Sequence, residues 1–138
     1  MKFMVIVKAS KDSEAGVQPS ELMLSEMMKF NEELMKAGVL LDASGLQPSS
    51  KGVRVVFSGK ERRVVDGPFT ETKELIAGYW VLQCKSLAEC VEWIKRCPNP
   101  YLEDGAVEIR PFYEMEDFGN ANAETLERAA RIDAAIKP

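Results

Sequence analysis

A chain of 138 residues, 46% hydrophobic and 29% charged, has the balance of one soluble globular domain with an ordinary core. Its net charge of −4 argues against a nucleic-acid partner, because phosphate binding calls for a basic surface. No apolar run approaches the roughly 18 residues of a membrane span, and the expected location is the cytoplasm.

Residues 2–8 form a short apolar run with a lysine at each end, and it predicts a buried first strand rather than a signal peptide. Residues 9–18 are polar and read as a loop. Pro19-Ser20-Glu21 opens a helix, with a proline and an acid near its start. Met23, Met27, Phe30, Leu34 and Ala37 recur at three- and four-residue steps and define its apolar face. Gly38 ends it, where a left-handed cap is cheapest. A second strand begins at Val39-Leu40-Leu41. Val53 to Phe57 and Arg62 to Val65 read as the two arms of a hairpin around Ser58-Gly59-Lys60-Glu61. A strand over about 77–84 follows. Ser86 and Glu89 have the spacing of a capping box for a helix through Arg96, whose apolar face is Leu87, Cys90, Val91, Ile94 and Cys97. Val107 to Phe112 alternates as a last core strand, residues 116–122 form a polar linker, and Asn122 is placed to cap a terminal helix through Ile136.

The order β-α-β-(hairpin)-β-α-β predicts an α+β fold, a ferredoxin-like sandwich with an added hairpin and a C-terminal helix. Residues 1–119 make the domain and 120–138 the helical extension. Two helices cover only one sheet face. The other presents Met4 and Ile6, or Val5 and Val7, depending on register, and an open apolar face of that size calls for a second copy packed sheet against sheet. A homodimer is the expectation.

The sequence has three cysteines and no histidine. Cys84, Cys90 and Cys97 have neither a CxxC pair nor zinc-ligand spacing, and they read as small buried hydrophobes. Without histidine the usual general base near neutral pH and the commonest metal ligand are missing, so acid–base work falls to Asp, Glu, Lys, Tyr or Cys. The only metal such a chain suits is a hard cation on carboxylates. No phosphate loop, dinucleotide fingerprint or nucleophile elbow is present, and no cofactor is implied. The methionines of the first long helix (Met23, Met27, Met28, Met35) read as packing material.

The densest pattern is Asp66-Gly67-Pro68-Phe69-Thr70-Glu71-Thr72-Lys73-Glu74, directly before the apolar run from Leu75 to Leu82. Pro68 fixes its own φ, Gly67 widens the options before it, and Phe69 is expected to plug the turn into the core. With Gly78-Tyr79-Trp80, Glu92-Trp93, Cys97-Pro98 and Glu108-Ile109-Arg110-Pro111, this motif resembles the YCII-related proteins, specifically the branch named for Asp-Gly-Pro-Phe. Gly38-Val39-Leu40, Leu46-Gln47-Pro48 and Val53-Arg54 extend the resemblance, which runs from Met1 to about Gly119. It implies a dimeric α+β barrel of ferredoxin-like protomers in a bacterial setting, with genes for extracytoplasmic-function sigma factors often nearby. The wider family's proposed histidine–aspartate pair does not carry over, since this chain has no histidine.

Asp66 is the first catalytic candidate, as an acid or base in a lyase or isomerase acting on a small, anionic molecule. Its alternative role is to cap the turn before Pro68. Tyr79 is the second, because a phenol can hydrogen-bond or act as an acid. Tyr79 and Trp80 point to opposite sheet faces, one toward the helices and one toward the dimer cleft. Arg54, Lys73 and Arg110 are the substrate-binding candidates. The two arginines lie in predicted strands and need a carboxylate partner or a ligand, with Glu108 in reach of Arg110. A dimeric regulatory module tied to sigma-factor control, without catalysis, is the competing reading.

Overall fold

The computed structural model describes residues 1–136. Six strands and four helices follow one another as β1 (Lys2–Lys8), α1 (Lys11–Glu14), α2 (Glu21–Lys36), β2 (Leu40–Gly45), β3 (Val53–Ser58), β4 (Glu61–Asp66), β5 (Ile76–Gln83), α3 (Leu87–Ile94), β6 (Val107–Pro111) and α4 (Ala123–Ile136). The main sheet is antiparallel in the order β2-β5-β1-β6, which is the ferredoxin-like arrangement, and β3 pairs with β4 in a separate two-stranded ribbon.

Register decides which side chains meet the helices. Phe3 lies opposite Leu82 and Val5 opposite Trp80, and on the other flank Val5 lies opposite Ile109. These odd-numbered positions of β1 join Phe30 and Leu34 of α2, Val39, Cys84 and Cys90 in one core. Phe3, Val5, Leu34, Leu82 and Cys90 are fully buried, and each large apolar side chain contributes about 1.5–3 kcal/mol relative to exposure. Trp80 meets the edge of Phe30 at 6.0 Å between ring centroids, and its indole N–H donates to Asn31 Oδ1 at 2.7 Å. Trp80 is therefore the aromatic that faces the helices, and Tyr79 is on the open side.

The helix ends follow the sequence signals. Ser20 accepts from the Met23 N–H and caps α2, and Gly38 leaves it at φ 75°. Asn122 accepts from the Thr125 N–H at 2.9 Å and caps α4. Ser86 caps α3, but the Glu89 carboxylate accepts from the Lys85 N–H, one residue before the cap, in place of the expected return to Ser86.

Other expectations are corrected. The polar stretch 9–18 holds α1, nucleated by a reciprocal Ser10–Ser13 capping box. Met28 and Met35 are about 60% exposed and lie on the solvent side of α2, and Leu87 is 48% exposed rather than part of the buried face of α3. Phe69 is half-buried and sits under the Arg54 guanidinium, 3.8 Å from its ring centroid, outside the central core.

Candidate functional site

The side of the main sheet away from α2 and α3 is built from the alternate residues of each strand. One cross-strand row reads Ser44, Tyr79, Ile6, Glu108, and the next reads Asp42, Val81, Met4, Arg110. Ile6, Met4 and Val81 form an apolar floor, and Ile6 is only 7% exposed beneath its longer neighbours. Polar groups stand along both flanks of that floor.

On one flank, the Tyr79 hydroxyl donates to Asp42 Oδ2 at 3.0 Å, across the diagonal of the β2–β5 pairing. The other oxygen of Asp42 accepts from the Ala43 N–H at 2.9 Å, which fixes the carboxylate plane. On the other flank, Glu108 sits between two cations, with Lys8 Nζ 3.5 Å from one oxygen and Arg110 Nε 3.9 Å from the other. Arg110 is 71% exposed, and among the described residues Glu108 is its one carboxylate partner. Ion pairs this open contribute about 0–1 kcal/mol to stability, so their use as a binding edge costs the fold little. A cleft of about 370 Å3 at the end of the same face is lined by Met1, Lys2, Leu41, Gln83 and Glu114.

The other predicted site residues lie elsewhere. Asp66 ends β4 of the ribbon and is exposed, and among the described residues its carboxylate makes no hydrogen bond or ion pair. The turn-capping role expected for it is filled differently. Glu14 accepts from the N–H of Ser49 at 2.9 Å and from its hydroxyl, Ser49 Oγ in turn accepts from the Phe69 N–H at 3.0 Å, and the Gly67 N–H donates to Gly52 O at 3.0 Å. The Gly67–Pro68 peptide is cis. Arg54 stacks on Phe69 and has no carboxylate partner among the described residues, and being exposed it does not carry the cost of a buried guanidinium. Lys73 is exposed in a single 3-10 turn, Thr72–Glu74. Tyr79 and Arg110 thus share the open face, whereas Asp66, Arg54 and Lys73 belong to the ribbon and the loop after it.

Sequence reasoning missed Asp42, Glu108 as the centre of a cluster, and Lys8. The available signal was Asp42 itself, since aspartate is depleted in strands and needs a reason to stand in one. The thiols are chemically quiet. Burial pushes Cys90 up to about 12 and Cys97 to about 11, and raises Cys84 as well. Among the described residues no three carboxylate or thiol groups are placed to hold a metal, and no helix is long and apolar enough to cross a membrane.

The order of strands and the two helices on one face define a ferredoxin-like α+β protein whose second sheet face carries a polar-rimmed apolar floor. Residues 1–116 match the YCII-related domain, and the chain belongs to that family. An uncharacterised protein of Rhizobium meliloti (strain 1021) is 29% identical over 94 residues, 68% of this chain and 76% of that one. Among solved structures the chain is similar to 5-chloro-2-hydroxyhydroquinone dehydrochlorinase (TftG) from Burkholderia phenoliruptrix AC1100 in complex with 2,5-dihydroxybenzoquinone. The TM-score is 0.47 at 11% identity, covering 85% of this chain and 98% of that one.

Proposed function

We propose that the chain, a member of the Asp-Gly-Pro-Phe branch, is a small-molecule lyase or isomerase whose site is the open sheet face, closed by a second copy. The observation that carries this is the apolar Met4–Ile6–Val81 floor between the Tyr79–Asp42 pair and the Lys8–Glu108–Arg110 group. An apolar floor with a few convergent polar groups is the usual make-up of a ligand site. Lys8 and Arg110 supply positive charge for a substrate carboxylate, and Tyr79 with Asp42 supplies a coupled donor and acceptor for proton transfer. In such a reaction a base takes a proton from carbon beside the substrate's carboxylate or carbonyl. The C–H electron pair then forms a carbon–carbon double bond as a leaving group departs, or the proton returns at another carbon. This reading retains Tyr79 and Arg110 in the site and moves proton transfer from Asp66 to Tyr79 and Asp42. Arg54 and Lys73 go with the Asp66 loop.

Closure by a second copy is supported by surface area. The chain exposes 10405 Å2, against about 7,200 Å2 expected for a compact monomer of this mass. The excess of about 3,200 Å2 is larger than the roughly 1,000–2,500 Å2 that one partner contributes to a permanent dimer interface, so the chain has surface to spare for one.

Native mass spectrometry before and after denaturation tests the proposal, followed by a screen of small carboxylates against the parent and two variants. A dimer carrying a ligand that leaves on unfolding is expected, with turnover lost in Tyr79→Phe and the substrate KM raised in Arg110→Ala. Turnover that survives Tyr79→Phe and is lost in Asp66→Asn would return the acid–base role to Asp66. The lack of histidine favours a second reading, in which the same face binds an anion without turnover and the dimer is a regulatory module linked to sigma-factor control. A ligand recovered unchanged after prolonged incubation would select it.

A further inference from the structure

Glu108 lies between two cations at the edge of the open face. It is opposite Ile6 in the β1–β6 pairing, so it rises from β6 beside the apolar floor. Its two contacts are unequal. Lys8 Nζ is 3.5 Å from Oε1, and the two side chains are 36% and 43% exposed. Arg110 Nε is 3.9 Å from Oε2, beyond hydrogen-bond reach, on a side chain that is far more open. That contact is made at Nε and does not engage the two terminal nitrogens, the pair with which a guanidinium forks a carboxylate. The group is anchored at its strand ends. The Ala9 N–H donates to Leu75 O at 2.9 Å directly after Lys8, and the Tyr101 hydroxyl donates to Ala106 O at 2.9 Å directly before β6.

Charge limits what this edge can take. Lys8 and Arg110 supply two positive charges and Glu108 one negative, so the edge has a net charge of +1. One carboxylate from outside brings it to zero. A second negative group on the same molecule meets negative charge wherever it turns on the floor. Close to the first, it meets Glu108. Across Met4, Ile6 and Val81 it meets Asp42, whose oxygens accept from Tyr79 and the Ala43 N–H but which has no cation partner among the described residues. Lys2, at the end of the face, lies over the Phe112 ring at 5.4 Å and shares its cleft with Glu114, whose charge opposes it.

Resting on the open-face site proposed above, we propose that Glu108 is a specificity residue, which restricts the substrate to an acid with a single carboxylate by filling the place between Lys8 and Arg110 that the second carboxylate of a diacid would take. Two cations then face two carboxylates, one from the protein and one from the substrate. Glu108 acts by offsetting the charge of Lys8 and by repelling a second anion, the repulsive element that discrimination between ligands calls for. Glutamine at this position keeps the shape of the side chain and removes its charge. The same two cations would then suit both carboxylates of a diacid.

Titration of the full chain with butyrate and with succinate, followed through the backbone amide signals of residues 108–110, tests this at neutral pH, where the carboxyl groups of both probes are ionised. The two acids share one carbon chain and differ by one carboxylate. Butyrate is expected to bind the parent at least tenfold more tightly than succinate, a difference of about 1.4 kcal/mol. In Glu108→Gln that ratio is expected to fall to one or below, and Glu108→Asp is expected to keep the parent's preference. A merely structural role for Glu108 would weaken both acids alike and leave their ratio unchanged. If neither acid moves these signals, in the parent or in Glu108→Gln, the open face is not an anion site and this inference falls with it. If both acids bind the parent with constants within about twofold, or Glu108→Gln leaves the ratio as it is in the parent, the restriction to one carboxylate is overturned while the anion site stands.

Discussion

Gly67→Ala is expected to be the most damaging single-methyl change in the chain. A Cβ on Gly67 would sit 1.8 Å from Ser49 O, 2.7 Å from Ser49 C and 3.3 Å from Gly52 O. All three are backbone atoms, so no side chain can swing aside, and the loop must move by more than an ångström to restore ordinary contact. That movement separates the Gly67 N–H from Gly52 O and the Phe69 N–H from Ser49 Oγ, both now at 3.0 Å, and draws Phe69 out from under Arg54. Two hydrogen bonds at about 0.5–1.5 kcal/mol each and an exposed cation–π contact at about 0.5–1 kcal/mol give a loss of about 2–4 kcal/mol. Urea titration of parent and variant measures it, and melting should fall by roughly 10 °C. Gly119→Ala is the control, because a Cβ there meets nothing within 4 Å. A Gly67→Ala loss below about 1 kcal/mol would refute the argument that backbone contact at Ser49 fixes this loop.

Asn31→Ala leaves the indole N–H of the buried Trp80 without its acceptor, and is expected to cost about 1–3 kcal/mol in urea denaturation, whereas Asn31→Asp, which keeps an acceptor, is expected to cost less. Stability is also expected to fall on the alkaline side. The Cys90 thiol is pushed up to about 12 in the folded protein by burial. Between about 9 and about 12 the unfolded chain therefore loses that proton while the folded one holds it, and stability declines as pH rises through this window. Denaturation midpoints measured from pH 8 to 11 should show a shallower decline in Cys90→Ala than in the parent.

Much of the architecture was legible because periodicity and capping chemistry are local. Alternation over 2–8, the three- and four-residue repeat from Met23 to Leu34, and serine caps at helix starts each act within a few residues, and each became the element it predicted. Where local reading failed, a tertiary partner had intervened. Periodicity placed Leu87 on the inner face of α3, but Leu87 is the first residue of the helix and stands 48% exposed at its end. Asp66 had the chemistry of a turn cap, yet Glu14, which is 35 residues before Ser49 in the chain, reached the loop first through that serine. A bond of that sequence separation leaves no trace in a window of ten residues.

The candidate site was half legible for a related reason. Tyr79 and Arg110 stood out because a phenol and a guanidinium within apolar strands demand partners. Asp42 did not, because its side of the sheet depends on one irregularity. β2 is opposite β5 with Leu40 against Leu82 and then Asp42 against Val81, so two residues of β2 advance against one of β5. With regular pairing, Leu41 would fall opposite Val81 and Asp42 opposite Trp80, on the helix side, where an unpaired carboxylate would meet the core. The extra residue turns Asp42 to the open face, where it receives the Tyr79 hydroxyl. Since Leu40 and Leu41 are the same residue type, nothing in the sequence marks which of them is to be skipped. The bulge both spares the core a charge and gives the open face its acceptor, so the packing constraint and the proposed chemistry depend on the same residue of offset.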